Sequence, residues 1–127
     1  MKSSLPLIYS CSGCSNVAQL ANDLALDLDQ NELAEMSCIV GVGGGVAPLV
    51  RLARSGRPVI VLDGCSLQCS KMCLDKVGVK PALAMTFNKL GLRKRKGEKY
   101  LAEEYDVAKN ELMQAYREFI SNTNDSK

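Results

Sequence analysis

The sequence predicts a three-layer α/β domain, a mostly parallel sheet of about four strands with flanking helices. Three observations predict it. Short aliphatic runs, the clearest being Pro58-Val59-Ile60-Val61-Leu62, are too brief for helices and rich in β-branched residues, so they read as buried strands. Segments with apolar residues at helical spacing separate those runs, and strands that alternate with helices imply parallel units whose connections all cross the same way. The chain has 127 residues, 46% hydrophobic and 24% charged, enough for one domain with a core of its own and too few for two.

Taken in order, Leu5 to Ser10 is a first strand and Cys11-Ser12-Gly13-Cys14-Ser15 the turn that leaves it. Val17, Leu20, Ala21, Leu24 and Leu28 then recur at helical spacing behind Ser15 or Asn16, either of which suits an N-cap, and the polar run from Asp27 to Glu32 ends this helix. Ala34 to Val40 reads as a second strand that opens into Gly41-Val42-Gly43-Gly44-Gly45. A short helix follows, with Pro48 in its first turn, Gly56 past its end, and Leu49, Leu52 and Ala53 on its buried side. The run from Pro58 to Leu62 is the central strand. After it comes Asp63-Gly64-Cys65-Ser66-Leu67-Gln68-Cys69-Ser70-Lys71-Met72-Cys73, opening a helix that stops at Gly78. If that helix begins at Cys65, then Cys65, Cys69 and Cys73 fall in a stripe of roughly 80°, with Leu67 and Leu74 on the opposite side against the sheet. Val79 to Phe87 contains Pro81 and so reads as an edge strand. Lys99 to Ile120 is a long amphipathic helix presenting Leu101, Tyr105, Ala108, Leu112, Tyr116 and Phe119. The domain is expected over residues 1–120, with a flexible tail at 121–127. This is a Rossmann-like order, in which ligands bind outside the carboxyl ends of the strands near a topological switch point.

The cysteines sit where that rule looks for a site. Cys11 follows the first strand, Cys38 lies at or near the end of the second, Cys65 follows the third and Cys69 comes a turn later, so residues distant in sequence should meet at one edge of the sheet. The chain has six cysteines and no histidine, so a metal site must be built from thiolates. Neither a signal-peptide core nor an apolar run of membrane-spanning length is present, which makes the cytoplasm the expected address and a membrane partner unexpected. Thiols are kept reduced there, and six of them argue for metal or redox work ahead of a disulfide framework. Zinc suits four thiolates, and an iron-sulfur cluster is the alternative that uses the same donors. A third use needs no metal. Cys11 and Cys14 form a Cys-x-x-Cys pattern before a helix, and a thiolate near a helix N-terminus suits thiol exchange or sulfur transfer. Against all three stands the plain alternative that buried cysteines pack as small hydrophobes.

Other features carry weaker signals. The glycines Gly41, Gly43, Gly44 and Gly45 suggest an anion-binding loop before the Pro48 helix, although a turn or a close backbone approach explains them as well. Asp63 either orients the cysteine loop or is a turn residue bonding its own backbone. The net charge of +2 is too small to imply nucleic acid, but six cations against Glu98 give the stretch from Lys89 to Lys99 a local charge of +5. Within it Arg93, Lys94, Arg95 and Lys96 form a solvated loop, or a surface that offsets thiolate charge and attracts an anionic or protein partner if it folds back toward the sheet edge. The last helix covers one face of the sheet, with a homodimer contact as its other use.

Three separated motifs, Tyr9-Ser10-Cys11-Ser12-Gly13-Cys14-Ser15, Met36-Ser37-Cys38 with its glycine run, and Asp63-Gly64-Cys65-Ser66-Leu67-Gln68-Cys69, resemble those of the DGC-domain family, for which zinc binding is the suggested property. The resemblance spans roughly residues 7 to 97. It implies four metal ligands, which fall here on Cys11, Cys38, Cys65 and Cys69, with Cys14 and Cys73 additional. It implies no reaction.

Overall fold

The computed structural model describes residues 4–125. A four-stranded, wholly parallel sheet runs β1 (Leu7–Ser10), β2 (Glu35–Met36), β3 (Val59–Asp63) and β4 (Leu83–Thr86), in the spatial order β2-β1-β3-β4. Between the strands lie α1 (Asn16–Gln30), α2 (Ile39–Gly43), α3 (Ala47–Ala53) and α4 (Cys69–Lys76), and after a 3₁₀ turn at Phe87–Leu90 comes α5 (Ala102–Asp125). Alternate residues of the two central strands face opposite ways, as the pleat requires. Ile8, Ile60 and Leu62 pack with Leu20, Leu24 and Leu28 of α1 and with Ala108, Leu112 and Tyr116 of α5. Leu7, Tyr9, Val59 and Val61 pack on the other face with Val42, Ala53 and Leu74. Every residue of β1 and β3 is buried, the signature of parallel strands covered on both sides. The three-layer α/β expectation is therefore met.

Several boundaries differ from the sequence expectation, each for a local reason. The second strand is only Glu35–Met36 where Ala34 to Val40 was expected, because Cys38 caps a new helix and turns the chain away. Gly41 and Gly43 consequently lie inside α2 and not in a loop. A Cβ on Gly41 would meet Leu49 Cδ1 at 2.0 Å, and one on Gly43 would meet Cys73 Sγ at 2.9 Å, so these glycines let α2 approach α3 and α4. The cysteine helix starts at Cys69 instead of Cys65, since Gln68 adopts the left-handed conformation at φ +52° and keeps Cys65–Gln68 in a turn. Leu67, expected against the sheet, is 66% exposed for that reason. At the far end, α5 runs on through Asp125 past the tail boundary expected at 120; residues 126–127 of that expected tail lie outside the described residues.

Long-range polar contacts dock α5 and the loop before it. Tyr116 donates to Leu33 O at 2.7 Å, Lys109 pairs with Asp27 at 2.8 Å, and Tyr100 donates to Asp23. Glu104, in the first turn of α5, accepts from Leu101 N at 2.8 Å, which is the carboxylate half of a capping box. Its two oxygens also take the Arg95 guanidinium fork at 2.7 and 2.9 Å. Chiefly through Arg95, the Glu104 carboxyl is held at about 2, down from 4.5. A carboxyl lowered on folding adds stability that is full above its unfolded value and is lost as pH falls toward the folded one. Acid unfolding of the wild type should therefore steepen between pH 4.5 and about 2, and Glu104→Gln should flatten that limb. Thermal melts across that range, followed by circular dichroism, read the difference directly.

Candidate thiol centre at the sheet switch point

The chain leaves β1 toward β2 on one side and returns to β3 on the other, which makes the carboxyl ends of β1 and β3 the switch point. Ser10 and Asp63 end those strands, and the thiols begin one and two residues later. Cys11 N continues the ladder by donating to Leu62 O at 3.1 Å, and Cys11 Sγ accepts from Gly64 N at 3.1 Å. Burial pushes the Cys11 thiol up to about 11; the Gly64 N–H opposes that rise, and the negative charges of Asp63, Cys65 and Cys69 add to it. The bond to Gly64 N sets the Cys11 thiol beside the turn that carries Cys65.

The triplet Asp63-Gly64-Cys65 has a separate physical task at each position. Asp63 is 2% exposed, and its carboxylate accepts from Ser70 N at 2.9 Å and Lys71 N at 3.1 Å. It thereby caps α4, whose own N-cap residue, Gln68, makes no side-chain bond to the helix. Burial raises the Asp63 carboxyl above the usual carboxylate range, with the two backbone donors pulling the other way. Gly64 has no space for a side chain: a Cβ would lie 2.5 Å from the backbone carbon of Val17 and 2.7 Å from Ala18 N. Cys65 then turns outward, partly exposed, with Lys94 Nζ 3.6 Å from its Sγ. Cys69, in the first turn of α4, is exposed.

The other cysteines stand elsewhere. Cys38 caps α2, its Sγ accepting from Gly41 N at 3.4 Å. An open cleft of about 420 Å³, lined by Ser10, Ser12, Asn22 and Met36 through Val40, lies beside it. Cys73 packs half-buried at Gly43 of α2. Cys14 is exposed, and its carbonyl accepts from Gly97 N at 2.6 Å. Among the described residues, no three Cys, Asp or Glu side chains already converge as a group able to hold a metal ion. The donor set at the switch point is thiolate, which suits a soft or borderline ion, but the thiols as placed are neighbours and not a closed shell.

Two features of the site were hidden in the sequence. The basic loop does fold back: buried Asn16 donates from Nδ2 to Arg93 O at 3.0 Å and accepts from Arg95 N at 2.6 Å, while Asn16 N donates to Arg95 O at 3.1 Å. Ser15, not Asn16, is the N-cap of α1, accepting from Ala18 N at 3.2 Å. A buried asparagine one residue past the cap is the single sign that this end of α1 holds another segment, and nothing in the sequence says which one. The close approach behind Gly64 was likewise invisible, because it depends on where α1 sits.

Fold and site together define an α/β protein with a thiol-bearing switch point built around an Asp-Gly-Cys turn. The DGC domain profile matches residues 7–112, and the chain belongs to the DGC domain family. Over 100 residues it is 63% identical to the anaerobic and virulence modulator AnvM of Pseudomonas aeruginosa, a match covering 79% of this chain and 76% of that protein. No solved structure matches it. No helix among the described residues is long and apolar enough to cross a membrane.

Two substitutions test the turn. Gly64→Ala drives a methyl group into the Val17–Ala18 peptide and should cost about 3 kcal/mol or more of stability, seen as a lowered denaturant midpoint. Asp63→Ala uncaps α4 and strands two amide groups, for a loss of about 2 kcal/mol; amide exchange at Ser70 and Lys71 should quicken before the rest of the sheet is affected.

Proposed function

We propose that this protein binds zinc at the switch point through Cys11, Cys65 and Cys69, with Cys38 brought across from the neighbouring arm as the fourth ligand. The observation that carries the reading is the Cys11 Sγ to Gly64 N bond of 3.1 Å, which brings a thiol from the end of β1 against the turn that bears the next two thiols. Thiolate-only donor sets are those of closed, structural zinc sites, and histidine is absent from the chain. Cys69 is exposed and belongs to neither packed cluster, so its side chain is free of core packing to turn toward an ion, while Cys11 and Cys65, both half-buried, rest against the edge of the first cluster. Bound there, zinc supplies a positive charge that favours the thiolate form of its ligands and ties three chain segments together. An iron-sulfur cluster would draw on the same thiols and is the competing occupant. The name of the related protein, an anaerobic modulator, suits a thiol centre whose occupancy depends on oxygen.

Protein purified without oxygen should carry about one zinc per chain, colourless, with melting temperature falling on chelation. Cys11→Ser and Cys69→Ser should each weaken zinc, measured by competition with a chromophoric chelator, by at least about tenfold, while Cys14→Ser leaves it unchanged. Iron with sulfide and visible absorption would move the protein to cluster chemistry. Six free thiols, no metal and an unaltered melt on zinc addition would overturn the metal reading.

A further inference from the structure

We propose that the thiol edge selects anionic thiol-reactive small molecules, and that Cys65 is where an anionic disulfide exchanges, drawn there by Lys94 with Arg93 and Lys96. The proposal goes beyond zinc binding and stands without it, because it concerns the metal-free thiol.

The loop that carries these cations is built into place. Three hydrogen bonds to Asn16, a bridge between Ser15 and Lys96, and the Gly97 N to Cys14 O bond lash it to the start of α1. Arg95 points away to Glu98 and Glu104, while Arg93, Lys94 and Lys96 remain exposed. Lys94 reaches Cys65 Sγ at 3.6 Å, so a cation borders a thiol that is partly exposed to solvent. The nearby carboxylate, Asp63, does not cancel that charge outward, because it is buried and committed to the Ser70 and Lys71 amides. The first turns of α1 and α4 also open on this edge and favour negative charge. The opposite edge contrasts with it. A cavity of about 360 Å³ there is lined by Arg54, Arg57 and Lys80, but it lies at the C-terminal ends of α3 and α4, where helix dipoles favour positive charge, and Arg57 is already engaged by Leu5 O and Glu35.

The chemistry is thiol–disulfide exchange. Cys65 as thiolate attacks one sulfur of the incoming disulfide, a Cys65 Sγ–S bond forms, the original S–S bond breaks, and the other half leaves as a thiolate. The disulfide is the oxidant, and the proton given up by Cys65 passes through solvent to the departing thiolate. Lys94 acts as a positioning residue for the anionic group of the reagent.

The test uses the reduced, chelator-treated full chain and two aromatic disulfides, dianionic dithiobis(nitrobenzoate) and uncharged dithiodipyridine, followed by stopped-flow absorption. Both reagents consume the same thiolate, so a change in its fraction cancels in the ratio of their rates. Mass spectrometry of the first mixed disulfide formed with the anionic reagent should identify Cys65. Lys94→Gln should lower the anionic-to-neutral rate ratio about fivefold, the size of one contact charge in water. Arg93→Gln and Lys96→Gln should lower it further, added salt should compress the wild-type ratio, and Lys94→Arg should restore most of it. Lys80→Gln, at the opposite edge, should leave it unchanged. A ratio insensitive to Lys94→Gln, or first modification at a different cysteine, would overturn the proposal. Zinc affinity measured on the same Lys94→Gln protein keeps the two readings apart, since that residue is not among the metal donors.

Discussion

Among the glycines, Gly64 makes the tightest approach of backbone to backbone, against the Val17–Ala18 peptide. It fixes how near the exit of β3 runs to the first turn of α1, and the site follows from that distance. Because the two backbones touch, the thiol of Cys11, at the other end of the short turn that leads into α1, reaches the Gly64 amide. Because Asp63 immediately precedes the contact, its carboxylate is carried inward to the amides that open α4, and that helix needs no cap of its own. Three consecutive residues thus face a helix end, a neighbouring backbone and solvent. A larger residue at the middle position would uncouple all three.

The sequence made the architecture readable where periodicity and burial agree. The runs around Ile8 and Ile60 are aliphatic because both faces of the sheet are covered, and Val17 through Leu28 keep helical spacing because one face of α1 is buried. It was less readable wherever tertiary contact overrode local pattern. Ala34 to Val40 looks like a strand, yet the thiol of Cys38 satisfies the Gly41 amide and turns the chain into α2. The glycine run looks like a loop, yet two of its members are spacers for Leu49 and Cys73. Leu67 has the position of a buried helical residue, and only the left-handed Gln68 puts it outside. As for the site, the meeting of Cys11 with the Gly64–Cys65 turn followed from strand order alone. The sequence could not reveal that Cys38 caps its own helix, or that Asn16 seats the basic loop, since both depend on contacts across the fold.

The cysteines also differ in what their surroundings ask of them. Cys11 is half-buried, and that burial, with the Asp63 carboxylate close by, holds its proton more tightly than in water. Cys65 is partly exposed and lies beside an ammonium group, and Cys69 is exposed at a helix start. Cys73 fills space between helices. A single count of thiols therefore conceals distinct chemical environments. Arg95 belongs to this picture indirectly: by spending its charge on Glu104, it anchors the basic loop to α5 and leaves the neighbouring cations facing outward.

The brevity of β2 reaches beyond the thiols. A parallel sheet that does not close into a barrel ends in two strands with unpaired backbone groups, each a template for a foreign chain. Here one boundary strand is only two residues long, and its Glu35 is engaged by Arg57 at 2.9 Å. The other follows Pro81, which offers no amide hydrogen to a newcomer. An aliphatic protein rich in oxidisable thiols is thus denied long, flat borders along which copies could zip together, and protection against aggregation comes from the same early turn at Cys38 that shortens the strand.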